Sequence, residues 1–181
     1  MLTNNFYYLY ADELLNTGRN MDNKTLVDTT NDNTNHFVSS SYSGLYPFYS
    51  PTGNMIPATN KQTDGCGDGC AGLLIGEGNT PPTVNDYKLE KQITSGFSCQ
   101  LSYPKNGYEV VDAKKFMLIL TITNTSKSDL VIKELGYIRS GQNSYYKNCN
   151  ILLDRTVFDE PVTIVPGATK TFEYRLNIPQ P

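Results

Sequence analysis

Alternation of apolar and polar residues is clearest near the end of the chain, where Phe172, Tyr174, Leu176 and Ile178 interleave with Thr171, Glu173, Arg175 and Asn177. A period of two sends one set of side chains to a core and the other to water, as in a half-buried strand. The same criterion predicts strands over Phe97 to Tyr103, Phe116 to Thr123, Leu130 to Ile138, Ile151 to Phe158, Pro161 to Val165 and Lys170 to Ile178. Phe116 to Leu120 is apolar at every position, the pattern of a central strand covered on both faces. Turn chemistry separates these runs at Asn124 to Ser128, at Ser140 to Asn143, and at Val165-Pro-Gly-Ala168, where Pro-Gly suits the central positions of a type II turn. No amphipathic helix is expected after residue 62, which excludes the alternating strand and helix order of a dinucleotide fold. The predicted class is mainly β: an antiparallel β-sandwich, Ig-like or jelly-roll-like, over residues 92–181.

Residues 1–62 read differently. They hold one short helix candidate, Ala11 to Asn16, and an almost wholly polar run from Asp28 to Asn35, so they predict an extended N-terminal arm with little regular structure. This arm nevertheless carries Phe6, Tyr7, Tyr8, Tyr10, Phe37, Tyr42, Tyr46, Phe48 and Tyr49. Aromatic rings favour burial, either in the core of their own domain or against another polypeptide. Taken as docking groups, the nine are the candidate interaction residues. Residues 63–91 predict a Gly/Pro-rich connector, with the glycine-dense stretch Thr63 to Gly78 as a hinge.

Composition narrows the chemistry. Fifteen basic and eighteen acidic residues give a net charge of −3 with no basic cluster, so nucleic acid is not an expected partner. The opening residues have no basic region ahead of an apolar run, and no apolar run approaches the ~20 residues of a spanning helix, so neither a secretory signal nor membrane insertion is expected. The single histidine, His36, excludes sites that need two. Gly67-Asp-Gly-Cys-Ala-Gly72 satisfies G-x-G-x-x-G but lacks the preceding strand and following helix that a pyrophosphate site needs.

Cys66 and Cys70 share a glycine loop while Cys99 and Cys149 lie far off; a zinc site, a Cys66/Cys70 disulfide and unreacted thiols are all compatible with that spacing, the last being the ordinary state. Asp22, Asp28, Asp32, Asp64 and Asp68 form no calcium loop. Glu134, Asp154, Asp159 and Glu160 read as solvated strand ends and turn caps in place of an acid/base pair. No nucleophile elbow occurs. No catalytic residue, cofactor or bound metal is therefore expected, and the protein is read as non-enzymatic.

Three stretches in order carry a resemblance: Gly72 to Leu89, with Gly76, Gly78, Pro81, Pro82, Asp86, Tyr87 and Leu89 in a G-x-G-x-x-P-P-x-x-x-D-Y-x-L pattern; Ile122 to Ser126 with Glu134 to Tyr137; and Leu152 to Val157 with Pro161 to Gly167 and Phe172 to Tyr174. Residues 72–178 resemble virion proteins of tailed bacteriophages, tail-associated or head-decorating. That resemblance implies a β-sandwich with a structural place in the particle, made in the host bacterial cytoplasm and held by contacts with capsid or tail subunits or with further copies of itself. The alternative is a host-recognition module of fibre or tail that binds a glycan or receptor through tyrosines and Asn/Asp side chains.

Overall fold

The computed structural model describes residues 1–7, 26–27, 33–34, 55–56, 71–102, 115–142 and 148–177. The chain is mainly β. Three two-residue strands, β1 (Leu26–Val27), β2 (Asn33–Thr34) and β3 (Met55–Ile56), precede six longer ones. These are β4 (Ala71–Gly76), β5 (Phe97–Ser102), β6 (Lys115–Asn124), β7 (Leu130–Gln142), β8 (Asn148–Ile164) and β9 (Thr169–Asn177). One sheet has the order β3-β4-β7-β8, antiparallel except for the short parallel β3/β4 pair, and the other is antiparallel with the order β5-β6-β9; β1 and β2 pair separately.

Both large sheets send one face into a common hydrophobic cluster. Leu73, Ile75, Leu135, Tyr137, Ile151 and Leu153 come from the first sheet; Leu118, Leu120, Ile122, Phe172 and Tyr174 come from the second. Tyr137 and Tyr174 stack with centroids 6.1 Å apart. The first sheet is also covered on its outer face, where Leu74, Ile138 and Leu152 pack with Leu89. A strand buried on both sides needs apolar residues in succession, and Leu73-Leu74-Ile75 supplies them.

Two irregularities in the β7/β8 ladder fix which residues face where. The register shifts between Ile132 and Glu134, and again between Tyr137 and Ile138. Before the first shift Leu130 and Ile132 point into the common core; after it Leu135 and Tyr137 do, which turns Glu134 to the outer face. The second shift leaves Leu153 unpaired, so Leu153 enters the core beside Asp154, which meets Tyr174 across it. The type II turn expected at Val165-Pro-Gly-Ala168 is present in form: the Ala168 N–H donates to the Val165 carbonyl at 3.0 Å and Gly167 has φ 75°.

Several boundaries differ from expectation. The 63–91 connector contains β4, an inner strand of the first sheet, because Leu73 to Ile75 bury more apolar area than the surrounding glycines cost in entropy. The strands expected over Ile151 to Phe158 and Pro161 to Val165 are one continuous β8, bent between Val157 and Val162 opposite the first register shift. Residues 1–7, read as part of an extended arm, belong to this fold. The helix candidate Ala11 to Asn16 lies outside the described residues.

Candidate functional site

Residues 1–7 and 77–93 meet over the β8 side of the first sheet. Leu2 bridges Asp154 in antiparallel sense; the Thr3 N–H donates to the Leu153 carbonyl at 3.0 Å and the Arg155 N–H to the Met1 carbonyl at 3.1 Å. β8 is the last strand of its sheet, so Met1 to Thr3 occupy backbone groups that would otherwise be an open edge. Thr3 then caps one helical turn over residues 4–7: its Oγ1 accepts from the Phe6 N–H at 3.4 Å and donates to the Leu152 carbonyl at 2.7 Å. Leu2, from the bridge to β8, and Phe6, from the turn, both enter the common core. Asn5 donates to the Leu152 carbonyl at 3.3 Å, while the Asn4 backbone and side chain bond the Val84 carbonyl at 2.7 Å and Asn85 Oδ1 at 2.9 Å.

Phe6 therefore corrects an expectation. It is 1% exposed inside this chain's own core and cannot act as a surface docking ring, because the Thr3-capped turn aims it inward. Tyr7, edge-on to Phe6 at 5.7 Å, is the one described member of the nine that remains well exposed. Tyr8, Tyr10, Phe37, Tyr42, Tyr46, Phe48 and Tyr49 lie outside the described residues, as do His36, Cys66 and Cys70. Cys99 packs half-buried against the core, and Cys149 lies within β8.

The second assembly is ionic. Glu134 is wholly buried, and each of its oxygens meets two donors: Oε1 accepts from the backbone of Gly78 at 3.0 Å and Lys91 at 2.9 Å, Oε2 from the backbone of Glu90 at 3.2 Å and from Arg155 Nε at 2.8 Å. Arg155, equally buried, extends further to Asp86 Oδ2 at 2.8 Å, Thr80 Oγ1 at 3.4 Å and Glu90 Oε2 at 3.6 Å. Glu90 in turn accepts from the Asn79 and Thr80 backbone at 2.8 and 2.9 Å. Residues 77–91 are thus strapped to the sheet through one carboxylate and one guanidinium, with Leu89 as the apolar pin.

Glycine is required where the strap passes closest. A Cβ on Gly76 would overlap Glu134 Oε1 and stand 2.7 Å from the Lys91 carbonyl oxygen; on Gly78 it would stand 2.5 Å from both Glu134 Oε1 and Glu90 Cβ.

Burial raises the pKa of Asp86, but the Arg155 hydrogen bond, the Thr83 bonds and the guanidinium charge outweigh it and hold the carboxyl below its ordinary value. Glu90 is lowered chiefly by the Thr80 backbone and hydroxyl bonds. For Arg155, burial opposes the charge, yet Asp86 and Glu134 raise its pKa. On the opposite face Asp154 accepts a short hydrogen bond from Tyr174 Oη, and the Met1 nitrogen lies 3.0 Å from its Oδ1. Burial, then the Asp154 charge, push the Tyr174 hydroxyl well above 10.0.

Glu134 and Asp154 therefore depart from the expected solvated strand ends, while Asp159 and Glu160 are exposed as expected. No cue local to Glu134 marked its burial; the signal was the joint presence of Gly76-x-Gly78, Asp86, Leu89, Glu134 and Arg155, which the fold brings to one place. Among the described residues no group of three His, Cys, Asp or Glu is placed to hold a metal, and no helix is long and apolar enough to cross a membrane. Comparison of the chain with protein-family models, curated proteins and solved structures gave no match.

Proposed function

We propose that this chain is a non-enzymatic structural subunit of a tailed-bacteriophage particle, a two-sheet β-sandwich that acts by burying surface against capsid or tail proteins. The observation that carries the reading is the seating of residues 1–7 on β8: a strand added to a sheet edge, with Leu2 and Phe6 as anchors sunk into the core. Strand addition with apolar anchors is a general mode of joining polypeptides, backbone hydrogen bonds giving affinity and pockets giving register. The ionisable groups of the strap fit the same role, since Glu134 and Arg155 spend their hydrogen-bonding capacity on fastening one chain segment to the sheet. The outer face of β5-β6-β9, where Thr121 bonds Thr171 at 3.2 Å and Thr123 bonds Thr169 at 2.8 Å, is hydroxyl-rich beside the exposed Arg175–Glu173 ion pair, a polar surface suited to contact.

Quantitative mass spectrometry of purified particles tests the proposal. A fixed number of copies per particle, retained through density-gradient purification, is the expected result. Absence of the chain from particles, or specific binding of the isolated chain to a host-surface glycan, overturns it.

A further inference from the structure

We infer that β9 is a self-pairing edge: two copies of this chain join antiparallel along β9 about a two-fold axis at Tyr174, so that each Glu173 faces Arg175 of the other copy. This goes beyond the reading above by naming one partner, a second copy of this chain.

The backbone supplies the free groups. β9 pairs with β6 along its whole length, Thr169 to Asn177, and is the last strand of its sheet; among the described residues no strand lies against its other side. The phase of the β6/β9 ladder decides which main-chain groups that side carries. Just beyond the strand, the Asn124 N–H donates to the Ala168 carbonyl at 3.0 Å. Main-chain bonds in an antiparallel ladder recur at every second residue, so Lys170, Phe172, Tyr174 and Leu176 also turn their backbone groups to β6. Thr171, Glu173, Arg175 and Asn177 turn theirs to the open edge. The β5/β6 ladder has the complementary phase: the Thr125 N–H donates to the Gly96 carbonyl at 3.0 Å, which assigns odd-numbered residues of β6 to β5 and leaves the even-numbered ones for β9.

The side chains at those outward positions select the register. Thr171, Glu173 and Arg175 are exposed on the outer face, whereas Phe172 and Tyr174 point into the core. Glu173 and Arg175 meet at 2.8 Å and are both well exposed. An antiparallel partner must set outer-face residues opposite outer-face residues. With the axis at Tyr174, Glu173 stands opposite Arg175 in both directions and Thr171 opposite Asn177, all at hydrogen-bonded positions. Moving the axis one residue either way puts Glu173 opposite the second Glu173, or Arg175 opposite the second Arg175. Opposite charges across a ladder attract and like charges destabilise it, so this edge rejects its neighbouring registers and accepts one. Charges on an edge strand ordinarily prevent pairing; an acid and a base two residues apart on one face make an edge that is complementary to its own reverse. The two copies then share one continuous sheet, with both sets of Thr121–Thr171 and Thr123–Thr169 pairs on the same face.

Sedimentation equilibrium of the full-length chain tests the pairing. Wild type should form a dimer whose fraction grows into the high micromolar range, since one strand edge per copy is a small contact beside the ~1,200 Å² or more of stable complexes. Arg175→Glu alone and Glu173→Arg alone each set like charges opposite one another and should weaken the dimer about tenfold. Mixing the two variants restores opposite charges across copies while each chain stays like-charged within itself, so a heterodimer is expected. Native mass spectrometry with one variant 15N-labelled reads it directly, and circular dichroism checks the fold of each variant. A wild-type chain that stays monomeric, single variants that dimerise as well as wild type, or a mixture that gains nothing over either variant alone overturns the pairing. Incorporation into particles is a separate measurement, so this inference and the structural-subunit reading fail on different results.

Discussion

Arg155 Nε lies 2.8 Å from Glu134 Oε2 with both side chains removed from water, and this bond joins β7 to β8 on the face where residues 77–91 cross. The pair is not interchangeable with an ordinary surface ion pair, because Glu134 also accepts three backbone N–H groups, from Gly78, Glu90 and Lys91. Removing one partner leaves the other charge buried, at a cost of about 3–5 kcal/mol. Arg155→Met should lower the unfolding free energy by that amount in urea melts, and should also increase hydrogen exchange at Gly78, Glu90 and Lys91 ahead of global unfolding.

The strap has no room for a methyl group at its two crossing glycines. Gly76→Ala sets a Cβ against a backbone carbonyl that cannot swing aside, whereas Gly78→Ala meets side chains of Glu134 and Glu90. Overpacking of this kind costs about 1–3 kcal/mol. Thermal melts should place Gly76→Ala below Gly78→Ala, and both below Gly167→Ala, where space is open and only the positive φ resists, at about 1–2 kcal/mol.

What was legible in the sequence follows from period. β5, β6, β7 and β9 lie within a few residues of their expected bounds because each alternates or runs apolar for long enough to signal burial. The turn at Pro166-Gly167 was legible from its two residues alone. β4 was obscured by the glycines around Leu73 to Ile75, whose purpose depends on a carboxylate some sixty residues later, at Glu134. Continuity of β8 across Asp159 to Pro161 could not be read locally, since the ladder absorbs those residues in a register shift. The burial of Phe6 and Glu134 is set by partners remote in the chain, and no window of sequence around either residue contains that information.

Acid should loosen the strap first. Asp86 and Glu90 have ordinary values of 3.8 and 4.5 and titrate lower in the folded chain, so they bind protons more readily once it is unfolded. The stability they lend is complete above about pH 5.5 and is withdrawn as pH falls through their folded values. Urea midpoints should decline over that range, and Asp86→Asn should be less stable at neutral pH with a flatter acid limb. An unchanged acid slope in Asp86→Asn would separate the strap from the acid response.

At the other end of the scale, the Tyr174 hydroxyl is held above 10.0 by burial and by the Asp154 charge. A raised value means that stability is complete below about pH 10 and is lost as pH rises from there toward the folded value. Tyr174→Phe should flatten the alkaline limb of the stability curve. The same variant removes a donor from buried Asp154, which costs about 1–3 kcal/mol at neutral pH.

Phe6 and Tyr7 are neighbours with opposite fates, one sunk in the core and the other exposed. Phe6 fills a site walled by both sheets, so Phe6→Ala loses the burial of the ring and leaves a cavity, together about 3–5 kcal/mol. Tyr7 is 43% exposed, and truncating an exposed ring changes stability by about 0.5 kcal/mol or less. Equilibrium urea denaturation should therefore show a large shift for Phe6→Ala and almost none for Tyr7→Ala. If the proposed assembly role holds, Tyr7→Ala should instead lower incorporation into particles, since an exposed tyrosine beside a seated strand offers contact area at low entropic cost. Equal and small stability effects for the two would mean that residues 1–7 are not seated on β8 in solution.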